Sequence, residues 1–437
     1  MQSNTRKISD FFKNELTDYS SYSTLRMISS CVDGLKNSHR KIIYTALNKL
    51  NSSIKVSQFD SRMQEYTQYL HGSATNVISN IAADYTGSNN LPLLKGNGNF
   101  GSRMVPEPSA PRYIYVENQK YINDIFDIQD VLLEQHFEGD KIEPRFFVPS
   151  VPLLLINGSM SGLASGFKQH ILPRNIKEIY KYYEGKKYDL TPYFKGFKGK
   201  IYPGPEQNQW IIEGVITRDM NKVIITEIPI QYDYAKYLKI LDDLVEQKKI
   251  KDYTDNSDTK KQTFNFEVKL FSDTNQDILD LLKLRTKETE NLNAIDIANK
   301  VKTFDSIEQM LEYYKIVRIK FQERQRVFDL ENQNKKLNIL NSKYKFISLI
   351  IDQKLKIYKR SKQDVKNDLE STDISKEDDY EYLLKMPVHS FTNETLEQLK
   401  NQIQQVNITI QNLTTQDNKT VWMNCFDKVL KALWCLV

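Results

Sequence analysis

The chain has 437 residues, a formal net charge of +5, 40% hydrophobic and 27% charged residues, which suits two or three domains with proper cores. No apolar run approaches the roughly 18 residues of a membrane span, and residues 1–12 lack the apolar core of a secretory signal, so a non-membrane, cytoplasmic chain is expected. Its three cysteines, Cys31, Cys425 and Cys435, are spaced for neither a zinc site nor a disulfide framework.

Charge and punctuation are unevenly spread. Residues 1–120 carry 14 Lys and Arg against 9 Asp and Glu, the whole net excess, so a face for a polyanion is expected near the N-terminus, with a solvated basic surface as the alternative. All 15 glycines lie at or before Gly214, and only Pro229 and Pro387 follow it. Turn-rich mixed structure therefore gives way to long uninterrupted elements, and a domain boundary should follow that change.

In chain order, residues 8–30 read as a polar-aromatic arm or helix. Residues 33–50 read as a helix on Ile42, Ile43, Ala46, Leu47 and Leu50, with Lys36, Arg40 and Lys41 at its N-terminal end. Amides and cations there would converge on a phosphate; lysines solvated at a helix start are the alternative. A further helix over residues 73–85 is expected, with Ser73 as its N-cap and Val77, Ile78, Ile81 and Ala82 as its buried stripe. Helix, turn and helix ahead of a basic loop fit a winged-helix module. His71, just before, reads equally as a turn histidine.

Residues 96–113, GNGNFGSRMVPEPSAPRY, admit two readings. Gly96, Gly98 and Gly101 spell G-x-G-x-x-G, but Pro106, Pro108 and Pro111 follow where a phosphate-cradling helix would have to start. The other reading is a rigid loop that presents Arg112 and Tyr113. A strand follows to about residue 120, then a glycine-rich hairpin near Gly162 and Gly166 that holds Leu163, a leucine that by itself reads as buried. Strands around residues 221–230 and 264–271 alternate with helices over 235–248 and 276–284. From 304 to 369, Leu330, Leu337, Tyr344, Ile351, Tyr358 and Val365 recur every seven residues, with Leu340 and Ile347 offset by three, as in a coiled-coil seam. Residues 394–413 form a second amphipathic helix able to run back along the first, and residues 422–437 would pack near its base.

Three blocks resemble the breakage-reunion (gyrase A-like) subunit of type IIA DNA topoisomerases. They are D-G-L-K and H-R-K at residues 33–41, with Arg26 seven residues earlier; G-N-G-N-F-G-S leading to Arg112-Tyr113; and I-E-P, L-L-x-N-G and S-G-L-A-x-G within residues 136–167. The last block has one extra residue near Met160, and Asn37 replaces the usual proline. Thr226 to Pro229 resemble T-E-[IL]-P of the family's tower domain.

The resemblance implies an α+β multidomain fold: a winged-helix cleavage domain (1–150), an α/β tower domain (151–303), and a long antiparallel coiled coil with a C-terminal dimer gate (304–437). It implies Tyr113 as nucleophile, helped by Arg112, Arg26 and His71. It assigns DNA contacts to Lys36, His39, Arg40, Lys41, Ser73 and Leu163, the last as an apolar wedge between base steps. Ser73-Ala74 replaces the acidic residue and serine that usually follow H-G in the family, implying weak quinolone sensitivity. No P-loop motif and no acidic triad are present, so Mg²⁺ and ATP are expected on a separate ATPase/Toprim-type subunit, and metal ligands on this chain are expected to be none. Partners implied are duplex DNA and a second copy through the gate. The short chain resembles the branch of the family carried by T-even bacteriophages, which would relax DNA in a bacterial host's cytoplasm rather than add negative supercoils. A non-catalytic DNA-tethering protein with a dimerising coil is the alternative.

Overall fold

A computed structural model describes residues 7–271 and 277–434 and shows a mixed α/β fold. The chain divides into two compact units: residues 1–318 with 423–437, and residues 319–422.

The first unit begins with helices Ile8–Lys13 and Glu15–Met27. Helices Asn37–Lys49, Val56–Thr67 and Thr75–Ala82 follow, burying Ile42, Ile43, Ala46, Val56, Phe59, Met63 and Ile78 together. Val56, Phe59 and Met63 recur at three and four residues, so one face of that middle helix is apolar. Beside the helices lies an antiparallel sheet in which Tyr115–Asn118 runs between Ile54–Lys55 and Leu94–Asn97. Gly96 pairs with Val116, so residues 98–114 form a loop closed at its base by the sheet.

A four-stranded antiparallel sheet takes Val215–Asp219, Lys222–Glu227, Phe266–Lys269 and Asp252–Asp255 in that spatial order. Val223, Ile225, Phe266 and Val268 alternate onto its covered face, where Tyr237 and Leu241 of helix Tyr234–Glu246 meet them. A three-stranded sheet of Arg285–Thr289, Gln209–Glu213 and Lys200–Pro203 adjoins in sequence. Residues 423–434 of helix Asn418–Trp434 belong to this unit; Phe426 is buried edge-on against Tyr180, with ring centroids 5.2 Å apart.

In the second unit, the later part of helix Ile307–Ile351 packs along helix Asn393–Thr415. Leu337, Leu340, Tyr344, Ile347 and Ile351 meet Leu396, Leu399, Ile403, Val406 and Ile410. Arg326 donates to the carbonyl of Leu413, whereas Phe346 meets Phe391 edge-on, so the two helices run antiparallel. The seven-residue repeat stops earlier than its sequence pattern. The chain turns at Gln353 (φ 58°) and Lys359 (φ 57°), Tyr358 is 81% exposed, and Val365 lies in another helix, Lys362–Glu370. There it joins Phe346, Leu355, Leu369, Ile374, Tyr380 and Leu383 in a small core.

Candidate active site

The loop from Gly98 to Tyr113 is shaped by backbone positions that only glycine fits. At Gly101 (φ +93°) a Cβ would lie 2.4 Å from the Pro106 carbonyl oxygen, so the loop doubles back there at closer range than any side chain allows. The Gly101 amide donates to the Asn99 side chain (3.0 Å), Ser109 donates to the Asn99 carbonyl (3.0 Å), and Ser102 donates to Val105 (2.8 Å). Phe100 and Met104 are buried anchors. At the exit, Ser57 donates to the Pro111 carbonyl and Val56 to that of Ile114, fastening the loop to the helix Val56–Thr67. No helix follows Gly101, which removes the dinucleotide reading of the three glycines.

Between these clamps Tyr113 is 67% exposed, its amide donating to Ala110 (2.9 Å) and the Arg112 guanidinium 4.9 Å from its ring centroid. The phenol is therefore open to solvent in the free chain, and its desolvation must come from whatever covers it.

Arg103 fixes the same loop from the other side, and sequence reading passed over it. Its guanidinium donates to Glu227 (2.5 Å) and to the carbonyls of Ile228 (2.8 Å) and Pro229 (2.9 Å), while Tyr234 donates back to the Arg103 carbonyl. Thr-Glu-Ile-Pro is thus the dock of the tyrosine-bearing loop. Two segments 124 residues apart meet there, a pairing that local spacing cannot announce.

Arg26 and His71 come together through a residue that the sequence had not singled out. Arg26 donates to the Tyr22 hydroxyl (3.4 Å), and that hydroxyl lies 3.0 Å from His71 Nε2. Tyr22 stands one turn before Arg26 on helix Glu15–Met27, the spacing that puts both on one face. Among the described residues no hydrogen bond joins Tyr113 to this group.

Ser73 does not cap the helix after His71; the cap position is Ala74. Ser73 donates to Asp60 (2.9 Å), whose other oxygen accepts from the Ala74 amide (3.0 Å). Asp60 belongs to the Val56–Thr67 helix, which sequence reading had missed, and the Ser73 hydroxyl also accepts from the Thr75 amide at the helix start (3.3 Å).

The basic cluster at residues 36–41 divides. Lys36 and His39 line a cleft of about 390 Å³ with Tyr85, Asn157 and Ser161, and Lys36 donates to the Ser161 carbonyl (3.3 Å). Burial lowers the Lys36 pKa; enclosure, then Lys36 and Arg40, push that of His39 down to about 4. Arg40 and Lys41, expected on a phosphate, are instead internal. Arg40 is 7% exposed and forks onto Asp33 (2.8 and 3.2 Å), with further bonds to Asn37 and the Leu35 carbonyl. Lys41 donates to Glu143 (2.9 Å) and the Thr67 carbonyl (2.6 Å). Asp33, Asn37 and the Leu35 carbonyl engage all three nitrogens of Arg40, and Glu143 with the Thr67 carbonyl holds the Lys41 ammonium, so both charges are paired inside the fold. Asp33 is fully buried and also accepts from the Leu35 and Phe147 amides.

Leu163 lies on the hairpin of Ser159–Ala164 and Phe167–Ile171, 68% exposed where an isolated leucine would be expected inside. The extra residue near Met160 is absorbed as a register shift between Ser159 and Gly162. The hairpin base is held by Gln169, which is wholly buried. Its Oε1 accepts from the Ser29 amide and Ser159 hydroxyl, and its Nε2 donates to the carbonyls of Ser29 and Asn293.

Among the described residues no group of three or more His, Cys, Asp or Glu could hold a metal ion. No helix of the described residues is long and apolar enough to cross a membrane.

This arrangement belongs to a known family. The family of the A-type subunits of DNA gyrase/topoisomerase IV matches residues 26–431, and the chain is a member of it. It is similar to the mitochondrial DNA topoisomerase 2 of Dictyostelium discoideum, with 30% identity over 442 residues, covering 94% of this chain and 34% of that protein. A DNA topoisomerase 2 of Invertebrate iridescent virus 6 is 30% identical over 444 residues, covering 95% and 38%. Among solved structures, the Plasmodium falciparum topoisomerase II DNA-binding, cleavage and re-ligation domain superposes with a TM-score of 0.84 at 28% identity, covering 97% of this chain and 64% of that one. The chain spans about a third of the length of these curated relatives.

Proposed function

We propose that this chain is the DNA-cleaving and rejoining part of a type II DNA topoisomerase, with Tyr113 as its nucleophile. The observation that carries the reading is the exposed Tyr113 phenol on a loop clamped at both ends, in a member of the gyrase A family.

The Tyr113 oxygen attacks a backbone phosphorus of duplex DNA as the bond from phosphorus to O3′ breaks. The electron pair leaves on O3′, which takes up the phenolic proton through solvent, and the 5′ phosphate stays on the tyrosine. One phosphodiester replaces another, so the reverse attack by O3′ reseals the strand without a new energy source. Arg112, beside the ring, and the Arg26 and His71 donors would stabilise charge on the phosphoryl oxygens. Lys36 and His39 at the cleft, Ser73 near His71, and Leu163 at the hairpin tip are assigned to DNA, Leu163 as the wedge that opens a base step. Arg40 and Lys41 are left out of this set, because both are held in internal ion pairs.

In this reading residues 1–150 form the winged-helix domain, 151–303 the tower, and 304–437 the coiled coil and dimer gate, apart from tail residues 423–434, which pack by Tyr180. The three-stranded sheet beside the helices supports the first assignment, and the interlocked faces of 337–351 and 396–410 support the last. No step is routed through a metal on this chain. Mg²⁺ and ATP are assigned to a separate ATPase/Toprim-type subunit, with which a dimer would pass one duplex through another and relax supercoils. A virus-encoded origin and action in the cytoplasm of a bacterial host complete the proposal; a relative encoded by a virus supports the first of these.

The test is covalent trapping with the metal-binding partner, Mg²⁺ and end-labelled duplex, quenched with detergent. Wild type gives a protein-linked 5′ end and Tyr113→Phe gives none. No adduct from wild type, with duplex binding intact and the partner active beside another cleavage subunit, would leave a non-catalytic DNA-tethering protein.

A further inference from the structure

We propose that Tyr22 is a positioning residue for His71, fixing its tautomer and ring plane at the scissile phosphate; the proposal rests on the cleavage reading above. A guanidinium can only donate hydrogen bonds, and a phenol has a single proton. In the proposed arrangement the Tyr22 oxygen accepts from Arg26 and gives its own proton to His71 Nε2, 3.0 Å away. Neutral His71 must then carry its proton on Nδ1. The order of donors runs from Arg26 through Tyr22 to His71, and the histidine's outward group is an N–H donor rather than a lone pair.

The ring also meets Tyr69, edge-on at 5.7 Å between centroids. A ring flip would put Cε1–H where Nε2 now meets Tyr22 and lose the bond. Arg26 and His71 Nδ1–H are thereby held as two donors tied to one oxygen, the pattern suited to two non-bridging oxygens of a single phosphodiester. Without Tyr22 each side chain would still be present, since all three are exposed, but neither would have a fixed direction.

Tyr22 is 48% exposed, so Tyr22→Phe removes one oxygen atom and leaves the fold unchanged. Two measurements on the full chain test it. In ¹⁵N spectra of histidine-labelled protein, His71 is expected as the Nδ1–H form in wild type and shifts to the Nε2–H form usual in water in Tyr22→Phe. With the metal-binding partner, Tyr22→Phe is expected to slow single-turnover adduct formation about tenfold while duplex affinity changes less than twofold. In a His71→Ala background it should cost less than in wild type, only the Arg26 bond remaining to be lost. An Nε2–H His71 in wild type, an unchanged rate in Tyr22→Phe, or losses that multiply in the double variant would each overturn the role. A wild type that forms no adduct refutes the cleavage reading instead, and the tautomer measurement still decides on Tyr22.

Discussion

Arg40 offers the most direct way to separate a structural cation from a DNA contact. In Arg40→Met the hydrophobic stem is kept and the fork onto Asp33 is lost. Asp33 is fully buried and retains only the Leu35 and Phe147 amides, at 2.9 and 3.0 Å, so a carboxylate is left inside without its counter-charge. Breaking such a pair from one side costs about 3–5 kcal/mol, whereas removing both charges costs much less. The amides of Leu35 and Phe147 report the site locally, which matters because the chain has two units and need not unfold in one step. Their hydrogen exchange in Arg40→Met should reveal an opening free energy lower by about 3–5 kcal/mol, with partial recovery in Asp33→Asn/Arg40→Met. Duplex binding in the stable double variant should keep the salt dependence of wild type. Unchanged protection, together with a salt slope shallower by about 0.9, would mean that Arg40 holds a phosphate and would refute this account.

Three other predictions address the loop, the cleft and the hairpin. Gly101→Ala puts a Cβ 2.4 Å from the Pro106 carbonyl at φ +93°; the loop must move, and adduct formation should fall by about 100-fold with duplex affinity retained. His39 takes up a proton near 6.5 when unfolded but only near 4 when folded, so the unfolded chain holds more protons between those values. Stability should therefore fall as pH drops from about 6.5 to about 4, by a few kcal/mol at most, and urea unfolding of His39→Gln should lose that part of the pH dependence. Leu163→Ala should leave stability within about 0.5 kcal/mol, since the side chain is 68% exposed, while reducing the bend of a doubly dye-labelled duplex read by energy transfer. An unchanged bend would remove the wedge.

What could be read in advance follows the range of the interaction. The glycines of the 96–101 turn, the strand after Tyr113 and the hairpin around Gly162 and Gly166 are set by neighbours in sequence, and each was legible. The helix Val56–Thr67 was legible too, from Val56, Phe59 and Met63, and was missed; with it went Asp60 and its bond to Ser73. Arg40 and Lys41 look like phosphate contacts until Asp33 and Glu143 are brought to them by the fold. The Glu143 pair spans 102 residues, and nothing local encodes it. The seven-residue repeat overshot for the opposite reason, since Tyr358 and Val365 keep the period after the backbone has turned away at Gln353. Tyr22 carried a usable signal, four residues before Arg26 on one helical face, but its bond to His71 crosses 49 residues.

The saturated amide at the root of the hairpin has a mechanical consequence. A glutamine with both ends bonded to Ser29, Ser159 and Asn293 leaves no slack at the base, so the hairpin is a cantilever rather than a tether. A sideways load on Leu163 is not absorbed by bending at the root but is delivered to the backbone of Ser29, three residues beyond Arg26. A load applied at the tip would thus be passed towards the helix that bears Arg26 through one side-chain amide.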